Sequence, residues 1–416
     1  MRILKLTPQL EKRLLARRVQ GDQEAQRVAS EIVSDVRKRG DAALLAWTNK
    51  LDGAGMRAND LWISQKKIRS AQRNVSSYFL RAVRQAARNI RRVSKNQLPV
   101  PWTVKVEPGV RISQQVVPVE SIACYIPGGS WSLVSTLLMT VVPAQVAGVN
   151  RIIAVCPKPD DQLLAIANFL GIREIARIGG AQAIAALAYG TKSIPRVEKI
   201  FGPGNKYVTA AKQLVSVDCA IDLPAGPTEA VVFAERGNAR WIAADLLAQA
   251  EHAKDAASFL VTTSKALARE VQREVQWQLA ELPFSMAQVS TAVTGAVLIA
   301  GSRDQAVEFV NRFAPEHLSL PGNAGALLSS IRSSGTIFLG PWAAQPLGDY
   351  VSGSNHVLPT AGWARRRGGL STADFVKCVS VQRISRQGFV RLADAAEAFA
   401  EAEHLFAHRN AVRIRR

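Results

Sequence analysis

Ile122-Ala-Cys-Tyr-Ile126, Arg151-Ile-Ile-Ala-Val-Cys156, Glu174-Ile-Ala-Arg-Ile178, Val197-Glu-Lys-Ile-Phe201 and Cys219-Ala-Ile-Asp-Leu223 are five short runs rich in β-branched and apolar residues. Ala- and Leu-rich stretches with helical spacing lie between them, at Ser132–Val149, Asp161–Leu170, Ala181–Tyr189 and Gly204–Val215. Alternating strand and helix implies parallel strands joined by right-handed crossovers. A second series follows, with strands predicted at Ala230–Ala234, Ser258–Thr262, Val297–Ala300 and Thr336–Leu339. Its helices are predicted at Arg240–Ala250, Lys265–Leu282, Ser302–Arg312 and Ala324–Ser333. Residues 1 to about 100 read as helical, through Leu10–Val19, Ala25–Arg39 and Ser76–Ser94, with breaks at Gly21, Gly40 and Gly53. From about residue 370 the chain reads as an appendage ending in the helix Leu392–Leu405. The fold class is therefore α/β: two Rossmann-like parallel-sheet modules, an N-terminal helical region and a small C-terminal helical segment.

Of the 416 residues, 48% are hydrophobic and 21% charged, a composition that buries a core and excludes wholesale disorder. Apolar runs such as Leu137–Val142 and Ala183–Tyr189 fall well short of the ~20 residues of a membrane span. The N-terminus lacks the apolar core of a signal peptide, so a cytoplasmic protein is expected. The four cysteines stand far apart without CxxC spacing and read as buried thiols, neither disulfide framework nor thiolate metal site. With 53 Lys+Arg against 33 Asp+Glu, the net charge is +20. Arg81, Arg84, Arg88, Arg91, Arg92 and Lys95 make a basic helical stripe opposite Val83, Ala86, Ala87 and Ile90. That is the pattern of a surface helix on a core, and nucleic-acid binding is the minor reading.

Glycine-rich turns follow three of the predicted strands: Tyr125-Ile-Pro-Gly-Gly-Ser130, Gly179-Gly-Ala-Gln182 and Phe201-Gly-Pro-Gly-Asn205. At the carboxyl ends of parallel strands such turns let backbone amides approach phosphates, so their convergence suggests a nucleotide cleft. Each turn taken singly is explained by tight chain reversal. The five histidines all lie downstream and have polar neighbours: Gln249-Ala-Glu-His252, Glu316-His317, Asp349 before Asn355-His356, and Glu403-His404 with His408. Together they suggest a divalent metal and proton transfer. Gln249, His252, Asp349 and one of His404 and His408 form a nitrogen and oxygen donor set suited to Zn²⁺. Spacing puts His404 and His408 at i and i+4 and does not choose between them. Glu316 and His317 are the acid/base candidates.

At these residues the sequence resembles the histidinol dehydrogenases, from about Ser113 to Arg413. The motifs are long: Tyr125-Ile-Pro-Gly-Gly, Ile178-Gly-Gly-Ala-Gln-Ala-Ile-Ala-Ala-Leu-Ala, Ile200-Phe-Gly-Pro-Gly-Asn, Asp222-Leu-Pro-Ala-Gly-Pro-Thr-Glu, Asp245-Leu-Leu-Ala-Gln-Ala-Glu-His, Ala314-Pro-Glu-His-Leu and Gly348-Asp-Tyr-Val-Ser-Gly-Ser-Asn-His-Val-Leu-Pro-Thr. The resemblance implies oxidation of L-histidinol through L-histidinal to L-histidine with two NAD⁺, the last steps of histidine biosynthesis. It implies one Zn²⁺ per subunit on Gln249, His252, Asp349 and His408, thereby selecting His408 over His404. It gives His317 the hydroxyl proton, Glu316 the water of the second oxidation, and Thr228, His356 and Glu403 contacts with substrate. Tyr125, Gln182 and Asn205 match nucleotide contacts.

The resemblance also implies an intertwined homodimer in which Glu403 and His408 act in the partner's site. Its domains would be an N-terminal segment (1–20), a substrate and zinc domain (21–124 with 230–369), an NAD-binding domain (125–229) and a C-terminal segment (370–416). Thr228 stands where many members have Ser, Trp131 is bulkier than the residue common there, and Arg365-Arg-Arg-Gly-Gly369 reads as a flexible basic loop. Three other readings stand beside this one: a relative acting on another small alcohol, a nucleic-acid-binding protein, and a fold whose catalysis has decayed.

Overall fold

The computed structural model describes residues 1–16, 22–53, 55–128, 132–224, 226–283, 286–322 and 325–416. Gly21, Trp131, the end of the Gly129-Ser130 turn, Ala225 and parts of the helices expected at Leu10–Val19 and Ala324–Ser333 lie outside them. Two parallel sheets organise the chain. One has six strands in the order Arg2–Lys5, Ala296–Ile299, Ala257–Thr262, Glu229–Phe233, His317–Leu320, Thr336–Leu339. The other has five, in the order Glu174–Ala176, Arg151–Val155, Ser121–Tyr125, Lys199–Phe201, Ala220–Ile221. Numbered along the chain the second order is 3-2-1-4-5, that of a doubly wound nucleotide fold. The five-stranded module is inserted between the first strand of the six-stranded sheet and the rest.

Both sheets are covered on both faces, which is why their strands read as apolar runs in the sequence. Successive side chains divide between the faces. Ile122, Cys124 and Ile126 join a core with Val83, Ala87, Ile90, Leu137 and Leu163. Ala123 and Tyr125 point the other way, against Ile32, Val36, Leu44, Ile184 and Val208. In the six-stranded sheet, Val231 and Phe233 pack with Leu10, Phe309 and Phe313, while Val232 and Ala234 pack with Leu246, Leu247 and Val271. Among the described residues no helix is long and apolar enough to cross a membrane.

Beyond the strand His317–Leu320, which the sequence reading did not predict and which pairs with Glu229–Phe233 and Thr336–Leu339, three features depart from that reading. First, the N-terminus opens with a strand, Arg2–Lys5, pairing with Ala296–Ile299; four residues carry too short a pattern to declare it. Second, Trp102–Glu107, Val110–Pro118 and Val376–Ile384 form a three-stranded antiparallel sheet. Trp102–Glu107 is exposed throughout and Val376–Ile384 nearly so, so no in/out alternation marks them as strands. Third, grouping 21–124 with 230–369 differs from the packing. Gln23–Arg39 and Ser77–Gln97 cover opposite faces of the five-stranded sheet, and Ser121–Tyr125 is its central strand. Helix amphipathicity says that a helix packs, not on which sheet.

Candidate active site

The site is built at the amino-terminal edge of the six-stranded sheet. Thr228 immediately precedes Glu229–Phe233, and Glu316 immediately precedes His317–Leu320; these strands are neighbours, with His317 opposite Ala230. The helix Ala239–Ala250, capped by the Asn238 side chain, runs back across the sheet and delivers Gln249 and His252 to the same edge. His252 lies just beyond the helix end rather than within it. Asp349 comes from the short helix Gln345–Tyr350. That helix lies close to Phe338: a Cβ on Gly348 would meet the ring at 2.5 Å, so only glycine permits the approach. Phe338 in turn stacks on the His317 imidazole, centroids 5.9 Å apart.

A hydrogen-bond chain links these groups. Gln249 Nε2 donates to Thr228 Oγ1, and the Thr228 hydroxyl donates to Glu316 Oε2 at 2.5 Å. The same carboxylate oxygen accepts from the Glu229 amide at 3.0 Å. His317 is almost fully buried, with Nδ1 3.7 Å from Glu316 Oε2 and Nε2 3.4 Å from Asp349 Oδ1. The Nε2 contact is an ion-pair distance without hydrogen-bond geometry, so this nitrogen is open to another partner.

Burial pushes the Glu316 carboxyl above its ordinary range, with His317, Thr228 and the Glu229 amide acting against it. Burial would lower His317, but the Glu316 and Asp349 carboxylates outweigh it and hold the imidazole above its usual value. Asp349 is raised by burial yet held lower overall by His317. A buried carboxylate and imidazole side by side, each raised from its ordinary value, can exchange protons with a bound molecule.

His252 Nδ1 lies 3.1 Å from the Ala248 carbonyl oxygen, which fixes the tautomer and leaves the Nε2 lone pair available. Gln249 uses its amide nitrogen on Thr228, which leaves the amide oxygen as its donor atom. Among the described residues no three His, Cys, Asp or Glu cluster closely enough to hold a metal by themselves. What this chain brings together is one imidazole, one carboxylate and one amide.

His356 closes the site from the other module. Its Nδ1 lies 2.8 Å from the Asp349 carbonyl oxygen, and its Nε2 lies 3.3 Å from Thr136 Oγ1 in the first turn of Val134–Ala147. Burial keeps this imidazole low, hence neutral. Asn355 Nδ2 donates to the Met139 carbonyl at 2.7 Å, fastening the segment to that helix. Thr136 was not singled out in the sequence; a threonine in an apolar helix gives no signal of its partner.

The glycine-rich turns do converge, at the carboxyl edge of the five-stranded sheet. The Gly180 amide donates to the Tyr125 hydroxyl at 3.1 Å, and Gly202, at φ +111°, lies so close to the Tyr125 carbonyl that a Cβ would collide with it. Asn205 caps Lys206–Val215, accepting from the Tyr207 and Val208 amides. Gln182 is wholly buried, and among the described residues neither amide atom has a hydrogen-bond partner. Beneath the third turn lies a buried ion pair that sequence reading missed: Lys212 Nζ meets Asp222 Oδ1 and donates to the Gly202 carbonyl at 2.9 Å. Asp222 Oδ2 accepts from the Gly202 amide at 2.7 Å.

Glu403 and His408 are not brought to this site within the chain; both are exposed on the C-terminal arm. The helix expected at Leu392–Leu405 is Arg386–Ala402, and His404, at φ +58°, lies in the link before Phe406–Arg413. His404 and His408 therefore do not share one helical face. The Arg365–Arg367 run is anchored rather than loose. Arg365 donates to the Arg312 carbonyl, Arg366 stacks on Trp363, and Arg367 pairs with Asp374 and donates to the Asp222 carbonyl.

The histidinol dehydrogenase family model matches residues 15–416. The histidinol dehydrogenase of Methanosarcina mazei is 44% identical over 93% of this chain and 90% of its own length. That of Escherichia coli is 41% identical over 98% and 95%. The crystal structure of histidinol dehydrogenase from Elizabethkingia anophelis superposes with TM-score 0.94 at 37% identity, covering 100% of this chain and 98% of that one. With its acid–imidazole edge and its glycine-turn sheet in place, the chain belongs to the histidinol dehydrogenase family.

Proposed function

We propose that the chain is an NAD⁺-dependent oxidoreductase of histidine biosynthesis that converts L-histidinol through L-histidinal to L-histidine. The observation that carries the chemistry is the buried Glu316–His317 pair, held by Thr228, Gln249 and the Glu229 amide and flanked by Asp349. NAD⁺, in the five-stranded module (125–229) near Tyr125, Gln182 and Asn205, supplies the hydride acceptor for each of the two oxidations. Gln249, His252 and Asp349, with His408 of a second copy of the chain, would hold Zn²⁺, whose contribution is to anchor the substrate's imidazole and amino nitrogens. The fixed His252 tautomer and the all-nitrogen-and-oxygen donors fit that ion.

His317 takes the hydroxyl proton through Nε2, the nitrogen that has no hydrogen-bond partner among the described residues. In the second half Glu316 accepts a proton from the water that adds to the aldehyde. Thr228 and His356 position the substrate, and Glu403 reaches it from the second copy. The partner is a second copy of the chain, and the 370–416 arm is the segment exchanged. Val390, Phe399, Phe406 and Ile414 are exposed on its helices, and Trp102, Val104 and Val106 on the sheet it joins, an apolar surface of the kind dimers cover. Four free thiols suit the cytoplasm.

The test is stoichiometry. Purified, Zn²⁺-loaded protein is given L-histidinol and NAD⁺, and NADH is counted per histidine formed. Two NADH per histidine, lost on chelation, is the expected result. One NADH with aldehyde released, or turnover only with other alcohols, overturns the assignment.

A further inference from the structure

Past the end of Arg151–Val155 the chain runs Cys156-Pro-Lys-Pro-Asp160. There a cavity of about 390 Å³ opens, walled by Met56, Pro157 and Pro159. Lys158, Lys67 and Arg177 also line it. Its position is that of the second and third strands' carboxyl ends, since Arg177 directly follows Glu174–Ala176. It also adjoins the glycine-rich turns: a Cβ on Gly128 or on Gly179 would come within 2.5 or 2.8 Å of the Pro157 ring. The cavity and two of the three nucleotide turns therefore share one wall.

In a doubly wound sheet, the turn that follows the second strand meets the adenosine ribose. An acid there receives the 2′-hydroxyl, whereas a guanidinium or amine suits a 2′-phosphate. This chain presents Lys158. Two carboxylates also line the cavity, Asp52 and Asp160. Asp160 is already engaged, accepting from the Leu163 amide at 2.8 Å as the cap of Asp161–Phe169. Among the described residues Asp52 Oδ2 has no hydrogen-bond partner, and burial raises its carboxyl against the pull of Lys158. Among the described residues, none of Lys67, Lys158 and Arg177 forms an ion pair with a carboxylate. Three uncommitted cations beside apolar walls suit a purine nucleoside carrying an additional phosphate.

We propose that this cavity receives the adenosine end of the dinucleotide and that Lys158, supported by Arg177 and Lys67, accepts a phosphate on the ribose 2′-oxygen, so that the chain takes NADP⁺ as well as NAD⁺. The inference rests on the placement of the nucleotide in the five-stranded module proposed above. It adds no chemical step: the hydride still goes to the nicotinamide and the proton to the base, and the 2′-phosphate is untouched. Lys158 is thus a specificity-determining residue.

The experiment is calorimetric titration of the full-length protein with adenosine 2′,5′-bisphosphate and with 5′-AMP, followed by turnover of L-histidinol with each dinucleotide. The bisphosphate is expected to bind about tenfold more tightly, a margin in keeping with charge-assisted phosphate contacts. Lys158→Glu is expected to reverse the preference, and Lys158→Arg to keep it. Lys158 is exposed, so folding is not at stake, and a melting curve checks this. Equal affinity for the two nucleotides, or a ratio unmoved by Lys158→Glu, overturns the inference. Turnover with NAD⁺ but none with NADP⁺ overturns it while leaving the proposed function standing. Absence of turnover with either dinucleotide instead removes the reading on which it rests.

Discussion

The two parallel sheets work from opposite edges. The five-stranded sheet presents its carboxyl edge, where strands end in glycine turns and helices begin. The six-stranded sheet presents its amino edge, where Thr228, Glu316 and His317 enter strands and Ala239–Ala250 ends at Gln249 and His252. The difference is one of sign. A carboxyl edge offers backbone amides and the positive ends of helices, which suit a pyrophosphate. An amino edge offers helix C-termini with their carbonyls, which suit a metal ion and a protonated imidazole. The two edges come together at the His356–Thr136 contact, so the proposed metal and the proposed dinucleotide would meet in one cleft.

The largest effect that tests this division is the loss of the proposed proton acceptor. His317→Ala is expected to lower kcat by about 10³-fold, within the range for a positioned acid/base group. Because His317 belongs to the other edge, KM for NAD⁺ should stay within a factor of about three of the parent value. Steady-state kinetics with both substrates varied decides this. A rise in that KM as large as the fall in kcat would break the division of labour between the edges.

Next in size is a fold effect confined to the carboxyl edge. Lys212 and Asp222 are 4% and 1% exposed and clamp both the amide and the carbonyl of Gly202. Lys212→Met leaves a buried carboxylate without its counter-charge, which costs about 3 kcal/mol or more. Urea unfolding measures the loss, and Asp222→Asn added to it should recover part. The same variant should weaken NAD⁺ binding more than Zn²⁺ binding, since only the Gly202 turn is released. Equal weakening of both would show that the edges are not separable.

The legibility of these features follows from how each is buried. Strands such as Arg151–Val155 are covered on both faces, so they stand out as apolar runs; their order in the sheets, and the strand His317–Leu320 between Glu229–Phe233 and Thr336–Leu339, come from the fold alone. His252, Glu316, His317, Asp349 and His356 were legible as a set because histidines are few and acids neighbour them. Lys212 was not, because a lysine in a helix reads as a solvated residue until the fold buries it. The antiparallel sheet was hidden for the opposite reason: Trp102–Glu107 is exposed in this chain and has no core to encode. The break at His404 was missed because an Ala-rich sequence with no glycine or proline gives no stop signal.

The smallest effect sharpens the account of the amino edge. Asp245 lies one turn before Gln249 and accepts a hydrogen bond from the Gln345 amide, so it joins the helix bearing Gln249 to the helix bearing Asp349. Burial pushes its carboxyl up from 3.8 to about 6. The folded state thus binds this proton more tightly than the unfolded chain does. The stabilisation is fully present below the unfolded value and is lost as pH rises through about 6. Asp245→Asn keeps an acceptor for the Gln345 amide but carries no charge. At pH 8 it is expected to stabilise the fold by roughly 1–3 kcal/mol, and below pH 4 by roughly nothing. Unfolding curves at the two pH values measure the difference. A gain of the same size at both would mean that the carboxyl bears no desolvation cost, and that the two helices meet there through solvent rather than through a buried contact.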